Sequence, residues 1–538
     1  MANRIGKFGS RRRGVSVAMA GVVASMLFGA SQGHADTTDQ LLDQLKAKGI
    51  LTKAEYQKLK ARHEAEVAAK PVPGPGPGPG PSNAQYITKL DKGIGFRIPG
   101  TTVVSKENGV VTVGDVDVKI SGDLVFFGAE SFKSSFSGSA GINPIPGGAF
   151  TPTSPAAGVL GATAGGSRVN NSNSIRSGLL PSAIVLSLAT RQEGIDLSAV
   201  FGAYIGGNNV APNALNANGP GSPFGLGTSG IDLRQVYGTI GTPEFGTVKI
   251  GRDLGLFGGD AILNDFTLFG VGTPAGNAMP GNTSLGRIGI GYVYPDWIPQ
   301  VTYTTPDFWG FTASAGIFTP LDPLDTTGAF VVPFTGAAFA DTSGNMTAHD
   351  QPQIQGRIKY IGKFSPDVKL TAWVDGLTQL QRAEVGDSVT AFISPGSSVR
   401  SSAVDGGARL DWGPFSAVGY AYWGSALGTT GLFFDAISPN GQARTSHGWY
   451  GEAEYTIFDR FTFGGSYGGS WLDANSFDFS QGYVPWLLKS NQSAIGFLRY
   501  KLTDWVALQT EFINSISRNQ SGGAITTNAF VAGTTFFF

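Results

Sequence analysis

The sequence contains no cysteine. This absence excludes a disulfide framework, a thiolate metal site and a cysteine nucleophile. Charged residues are also scarce, at 14% of the chain, yet no stretch after residue 35 approaches the run of about 18 consecutive apolar residues that marks a transmembrane helix. The chain is therefore poor in charge without offering a helical membrane span.

Glycine and aromatic residues are abundant instead. The 538 residues include 79 glycines, roughly twice the average share, and aromatic residues make up 11%. Many glycines and aromatics without long apolar runs favour an alternating β protein over a helical one.

The N-terminus has the pattern of an export signal. Basic residues at 4, 7 and 11–13 precede the apolar run "VSVAMAGVVASMLFGA", and small residues allow a cut after Ala35. The alternative is a buried or membrane-anchoring helix. Because the run is short and interrupted by glycine, we predict that residues 1–35 are a signal peptide.

Residues 36–70 carry a helical pattern. A leucine stripe is followed by Gly49 at the expected end of a first helix, and Thr52 with Glu55 forms a capping box for a second. Helices this short cannot bury their apolar faces alone, so we predict a periplasmic coiled-coil or docking segment. The alternative is a marginal, mostly solvated helix.

A spacer separates this segment from the rest of the chain. Residues 71–83 alternate proline and glycine with a period of two, which excludes collagen and predicts an extended linker. Residues 84–114 then lead into a domain that we predict to span 115–538.

Period-two alternation recurs through that domain. In "VDVKISGDLVF", Val116, Val118 and Ile120 share one face, and Asp117 and Lys119 share the other. A soluble antiparallel sheet would hide the apolar face in a core. A membrane barrel would turn it to lipid and line a water-filled lumen with the polar face.

The connections decide between these two. Very short links such as 458–460 and 412–414 alternate with long ones such as 424–447 and 378–402. This asymmetry is typical of outer-membrane barrels, with tight periplasmic turns and long outer loops. We therefore predict an all-β fold, a 16-stranded antiparallel transmembrane β-barrel, although the irregular segment 285–304 leaves 18 strands open. The predicted strands are 115–127, 183–191, 195–205, 231–241, 246–252, 285–304, 308–317, 354–361, 368–377, 403–411, 415–423, 448–457, 461–469, 493–502, 505–513 and 528–538.

Two hairpins then resemble those of the Gram-negative general porins. "RQVYGTIGTPEFGTVKIGRD" (234–253) is similar to their R-x-x-x-x-G…F-G-T-V-x-x-G-R pattern. "VTYTTPDFWGFTASAGIF" (301–318) is similar to their Y-x-S/T-P-x-F-x-G-F pattern, and the terminal Phe538 resembles their assembly signal. The helical segment also looks like the N-terminal extension of some porins.

The resemblance implies a homotrimer of barrels that pass small hydrophilic solutes. It implies a third loop, about 253–285, folded into the lumen with acidic residues opposite a basic ladder that includes Arg234. Alternation adds further basic residues on the lumen side, each of which could equally be a solvated wall charge. The predicted ladder differs from that of many general porins at one position, where this chain has Thr302 and they have an arginine. The candidate constriction and lumen residues are Arg234, Lys249, Arg252, Asp253, Asp260, Asp265, Arg287, Arg357 and Arg409, with Lys359, Lys369 and Arg499 as further lumen positions.

Catalytic chemistry has little support. Beyond the predicted signal peptide only His63, His349 and His447 remain, too few for a histidine metal cluster. We expect no enzyme, no cofactor and no nucleic-acid partner.

The expected protein is an outer-membrane porin for passive diffusion, in contact with membrane lipid or lipopolysaccharide and with the barrel-assembly machinery. The alternatives are an anion-selective channel for phosphate or a dicarboxylate, or a structural tether that reaches the cell wall through residues 36–70.

Overall fold

The computed structural model describes residues 103–105, 110–137, 172–177, 182–205, 231–270, 286–323, 346–383, 393–481, 484 and 487–538. The predicted signal peptide, helical segment and linker lie outside these residues. All described residues belong to one compact unit, Pro75–Phe538.

The described chain is built almost entirely of strands, with two short helices, α1 (Gly259–Leu263) and α2 (Ser476–Ser480). The strands are β1 (Val103–Ser105), β2 (Val110–Val113), β3 (Val116–Ser137), β4 (Ser172–Ser177), β5 (Ala183–Gln192), β6 (Ile195–Ile205), β7 (Ile231–Thr242), β8 (Gly246–Leu254), β9 (Trp297–Thr304), β10 (Phe311–Phe318), β11 (Gln353–Ser365), β12 (Val368–Arg382), β13 (Ser398–Trp412), β14 (Phe415–Ser425), β15 (Thr445–Ile457), β16 (Phe461–Asp473), β17 (Leu488–Lys501), β18 (Val506–Asn519) and β19 (Ala524–Phe537). None of the helices in these ranges is both long and apolar enough to cross a membrane.

Sixteen strands close into a ring. β3 pairs with β5, each strand from β5 to β18 pairs antiparallel with the next, and β19 pairs back with β3. The other three strands are short. β1 pairs with β2, β2 pairs with the first residues of β3, and β4 pairs with residues 126–131 of β3. The ring confirms the predicted all-β, antiparallel barrel and fixes the strand number at sixteen.

The connections differ between the two ends of the barrel. Tight turns such as 366–367 and 413–414 gather at what we call the turn end, together with the C-terminus. The other end, the loop end, carries longer connections, numbered here in chain order. They include loop 3 (255–296), loop 6 (426–444) and loop 7 (474–487).

The alternation of each strand divides the barrel wall into two faces. On β15 the side chains of Trp449 and Tyr455 are 44% and 41% exposed on the outer face. Glu452 and Glu454, on the inner face, are buried. The outer face is therefore apolar and the inner face polar, as expected for a barrel that meets lipid outside.

A bulge in β7 changes this alternation at the predicted ladder arginine. Arg234 is the extra residue between Leu233 and Gln235 where β7 pairs with β6. A bulge places two residues opposite one and re-aims the side chains. Leu233 and Val236 are exposed on the outer face, whereas Arg234 is buried with its guanidinium carbon 4.9 Å from the centre of the Tyr204 ring. The bulge explains why simple alternation is ambiguous here.

One predicted strand is corrected. Of the predicted segment 285–304, only Trp297–Thr304 is a strand. The residues before it belong to loop 3, which is therefore longer than the predicted 253–285. Gly289 and Gly291 have φ values of +72° and +147°, conformations that glycine adopts freely and that interrupt a β ladder.

The C-terminus closes the barrel wall. The Phe538 N–H donates to the Gly122 carbonyl at 3.0 Å, and the Gly122 N–H donates back to the Phe538 carbonyl at 2.8 Å. A Cβ atom at Gly122 would lie 2.7 Å from the Phe538 ring, so this position requires glycine. The terminal ring is thus part of the seam between the first and last strands of the ring.

The two preceding rings lie on opposite faces, as the alternation predicts. Phe536 is on the outer face, with its ring centre 6.3 Å from that of Phe126. Phe537 turns inward, 5.8 Å from the ring of Phe269 in loop 3. The C-terminal strand therefore packs against both the outer wall and the contents of the barrel.

Deleting Phe538 should lower the yield of folded barrel several-fold, because it opens the seam at Gly122 and leaves the inward-facing Phe537 as the last residue. The measurement is the amount of heat-modifiable barrel in the outer-membrane fraction. The matched control is Phe458→Ala, which removes an exposed ring from the β15–β16 turn. Equal yields of the deletion and the wild type would contradict the role of the seam.

Candidate functional site

Loop 3 leaves β8 at the loop end and turns into the barrel. At its start Gly258 has a φ of +73° and its N–H donates to the Asp405 carboxylate on β13 at 2.7 Å. Phe257, Ile262 and Phe266 are buried in one apolar cluster with side chains of the inner wall. The loop is therefore packed onto the wall and is part of the core of the barrel.

Neutral side chains of the wall satisfy part of the loop backbone. The side-chain oxygen of Gln355 on β11 accepts hydrogen bonds from the N–H groups of Leu256 and Phe257 at 2.7 and 2.9 Å. The Tyr450 hydroxyl on β15 donates to the Ala261 carbonyl at 2.7 Å. Buried backbone groups need such partners, so these contacts determine where the loop can lie.

An ion-pair network fixes α1 against β11. Asp260 lies 3.1 Å from Arg357 and 2.5 Å from Lys359, and Arg357 also binds Asp375 at 2.8 and 3.1 Å. Burial alone would raise the pKa of Asp260. The nearby charges of Arg357 and then Lys359 outweigh burial and lower it, which keeps Asp260 ionised.

The next part of the loop binds the wall farther around the barrel. The Phe266 N–H donates to Glu452 on β15 at 2.6 Å, and the Phe266 carbonyl accepts a hydrogen bond from Arg499 on β17. Arg499 also pairs with Glu454 at 3.1 Å. Gln509 on β18 donates to the Phe269 carbonyl. Loop 3 therefore follows the inner wall from β11 to β18.

Asp265 connects the two arms of the loop. Its carboxylate accepts hydrogen bonds from the backbone N–H of Arg287 at 2.8 Å and from the Tyr292 hydroxyl at 3.0 Å. The fully buried Arg287 side chain extends to the wall, where it lies 3.5 Å from Glu452 and donates to the Ser493 hydroxyl at 3.1 Å. Both arms are thus attached to the same side of the barrel.

Loop 6 folds inward against loop 3. The Tyr294 N–H of loop 3 donates to the Thr430 carbonyl of loop 6 at 2.8 Å. At its end, Arg444 forms a fully buried, bidentate ion pair with Asp478 of α2 at 2.6 and 2.8 Å. Bidentate pairs of this kind fix orientation as well as distance. Loops 3, 6 and 7 therefore form one connected structure inside the loop end.

This arrangement can narrow a passage through the barrel. Within the described ranges no group of three or more histidine, aspartate or glutamate side chains could hold a metal ion. His447 lies on the outer face, with its ring stacked on Trp471 at 5.4 Å between centres.

Comparison with known proteins decides the family. Residues 156–494 match the family described as Gram-negative porin, which is more than half of the chain. The chain belongs to the Gram-negative porin family. A search of curated proteins gave no match.

A solved structure shows the same fold. The porin is similar to the outer-membrane channel DcaP of Acinetobacter baumannii, with a TM-score of 0.51 and 13% identity over 79% of this chain and 97% of that one. OmpF of Salmonella typhi matches with a TM-score of 0.45 and 10% identity over 79% of this chain and 98% of that one. At identities this low the likeness is one of fold alone.

Family and fold together place the porin in the outer membrane as a channel protein. In outer-membrane barrels the short turns face the periplasm and the long loops face outward. The turn end is therefore the periplasmic end.

Several predicted lumen residues form ion pairs with residues of opposite charge. Asp260 contacts both Arg357 and Lys359. Lys249 pairs with Asp253 on the inner face of β8. Arg409 donates to Asp411 at 2.9 Å, and its guanidinium carbon lies 5.0 Å from the centre of a loop 3 ring.

Two predicted lumen residues lie elsewhere. Arg252 is on the outer face of β8 with Val248 and Ile250, because it alternates with Lys249 and Asp253. Arg287 is in loop 3 and not on a wall strand, because the segment before β9 is not extended. Its guanidinium anchors the loop and is fully buried.

Thr302, by contrast, does face the lumen, opposite Lys249 in the register, so the ladder lacks an arginine at that point.

Sequence reasoning missed the wall residues that accept loop 3. Gln355, Asp405 and Glu452 bind backbone N–H groups of the loop, and nothing in a single strand marks them among other polar inner residues. Lys363 was missed because the predicted strand ends at residue 361, whereas β11 continues through Ser365.

Replacing Asp260 by Asn should loosen α1 from the wall. The loss leaves Lys359 without its buried carboxylate and should cost about 1–3 kcal/mol of local stability. Amide hydrogen exchange over residues 255–270 should accelerate by about tenfold or more. The control is Asp504→Asn, which removes an exposed pair with Lys501 at the periplasmic end. Equal protection in D260N and wild type would contradict the anchoring role.

The same contact predicts a dependence on pH. Because the pKa of Asp260 is lower in the folded protein than in the unfolded chain, its contribution is complete above about pH 4 and is lost as pH falls through the lowered value. After correction for the intrinsic rate, wild-type exchange at 255–270 should rise in that acidic range and D260N should not follow it.

Proposed function

We propose that the porin forms a water-filled channel through which small hydrophilic solutes and ions diffuse passively, with loop 3 as its constriction. The observation that carries this proposal is the attachment of loop 3 along the inner wall from β11 to β18. A passage that is fixed at so many points acts as a sieve of constant size and needs no energy source.

The charges at loop 3 support a filter based on size more than on charge. Asp260 contacts Arg357 and Lys359 directly, so these opposite charges are not separated by the solute path. Ion pairs in contact produce a weaker field at a distance than separated charges do. We therefore expect weak ion preference at the constriction itself.

A homotrimer is part of the proposal, and Arg252 supports it. Arg252 lies on the outer face of β8 and is half-buried there. Tyr303, opposite Val248 in the register, marks the periplasmic interface with its hydroxyl bonded to the Phe245 carbonyl at 2.7 Å. Arg252 is four residues farther along the strand, about 13 Å at 3.3 Å per residue.

That position is near the middle of an apolar band about 25 Å tall, where an arginine facing lipid costs about 2–4 kcal/mol. A neighbouring subunit that supplies a carboxylate or carbonyl oxygens would remove this cost. The outer face of β8 is therefore the proposed centre of the contact between subunits.

Three further parts of the proposal rest on the sequence. Residues 1–35 direct export, residues 36–70 associate within the trimer in the periplasm, and Phe538 is recognised by the barrel-assembly machinery. The Pro/Gly linker 71–83 separates the helices from the membrane domain.

Planar-bilayer recording tests the channel. Purified folded porin should give stable conductance steps that occur in triplets, because three barrels insert together and close separately. The same preparation after heat denaturation is the control. Folded protein that gives no conductance would refute the proposed function.

Arg252→Glu tests the contact between subunits. It should convert trimers to monomers in detergent, measured by light scattering, while the heat-modifiable barrel remains folded. Single steps should then replace triplets in the bilayer. Arg191→Glu, at the exposed end of β5 beside the β5–β6 turn, is the matched control and should leave trimers intact. Trimers that survive R252E would place the interface elsewhere.

A further inference from the structure

Two lysines face each other on the inner wall near the periplasmic end. Lys363 on β11 is directly opposite Lys369 on β12 in the register. Both lie on the lumen face, since Lys359 and Thr371 on the same strands also do. Neither forms a hydrogen bond or an ion pair within the part of the chain that the structure describes. Like charges directly opposite each other in a sheet are destabilising.

The neighbouring carboxylates relieve this repulsion only in part. Asp411 on β13 is opposite Lys369 in the register, but it already accepts hydrogen bonds from Arg409 at 2.9 Å and from Ser416 at 2.8 Å. One carboxylate therefore stands among three cations, Lys363, Lys369 and Arg409.

Two other acids near this part of the wall are also engaged. Asp260 binds Arg357 and Lys359, and Glu454 binds Arg499. The local surplus of positive charge consequently comes from Lys363 and Lys369.

The three cations lie on the periplasmic side of loop 3. Lys359 reaches α1 of loop 3, and Lys363 is four residues nearer the β11–β12 turn, about 13 Å along the strand. Arg409 approaches the loop at Phe266, 5.0 Å from its ring centre, and its Nε points back to Asp411. A solute that has passed loop 3 from outside would meet this cluster next.

We propose that Lys363, Lys369 and Arg409 form a binding site for a small dianion at the periplasmic side of the constriction. Two ammonium groups and a guanidinium can each donate a charge-assisted hydrogen bond to an oxyanion, and a charge of −2 balances the surplus of two lysines. Tetrahedral oxyanions and short dicarboxylates share this chemistry. The site rests on the proposed channel function and gives it a solute class.

Block of the chloride current tests the site. Wild-type porin, full chain in a planar bilayer, is compared with the double variant Lys363→Gln/Lys369→Gln. Sulfate and, separately, succinate are added to the periplasmic side at increasing concentration. One or both should reduce the chloride current of the wild type, and the half-blocking concentration should rise about tenfold in the double variant.

Lys501→Gln is the matched control, because Lys501 is at the same end of the barrel and is already paired with Asp504 at 2.6 Å. Sulfate and succinate should reduce the chloride current of this variant at the same concentrations as in the wild type. Block by sulfate alone would identify a tetrahedral oxyanion site, and block by succinate alone a dicarboxylate site.

The two proposals fail in different ways. If neither the folded wild type nor any folded variant conducts, the channel is refuted and the site with it. The dianion site alone is refuted if the wild type conducts but neither dianion reduces its chloride current. It is also refuted if the half-blocking concentration is the same for the double variant as for the wild type. Heat-modifiable migration of each variant confirms that the barrel is folded before recording.

Discussion

The pairing of β19 with β3 is the interaction on which the rest of the structure depends. A barrel in lipid has no water to satisfy an open sheet edge, so the first and last strands of the ring must bond to each other. Here the register runs from Ala524 opposite Ser137 to Phe537 opposite Asp123, and the terminal Phe538 continues it to Gly122. Closure in this register sets the inner face of every strand, and hence which residues can reach loop 3.

Loop 3 imposes a second requirement on that inner face. A segment folded into the barrel brings backbone N–H and C=O groups that must be satisfied away from bulk water. Gln355, Asp405 and Glu452 meet this need by accepting hydrogen bonds from the loop, while Arg357 and Lys359 bind its one helical carboxylate. Much of the polar wall therefore serves the loop, and only the remaining charges are available to a solute.

The sequence predicts the barrel well and the constriction only in part, for physical reasons. Strand alternation and turn lengths are local, so all sixteen strands could be placed, although 285–304 was predicted too long and β3 continues ten residues beyond the predicted end at 127. Pairing across the lumen depends on register between distant strands, which no local pattern contains. Asp260 could be proposed as a constriction residue, whereas its partner Lys359 was only one of several lumen bases. Arg234 could not be assigned a face because its bulge is a property of the β6–β7 pair.

These two requirements together order the charges along the barrel. At loop 3 Arg357 and Lys359 are in direct contact with Asp260, which is the reason for proposing size as the main filter there. Below loop 3 the loop no longer supplies carboxylates, so Lys363 and Lys369 remain opposite each other, and Asp411, the carboxylate opposite Lys369, is already bonded to Arg409. A channel built in this way would select by size before it selects by charge. The lysine pair would then act on solutes that have already passed the narrowest point, where binding can hold an anion without closing the path to others.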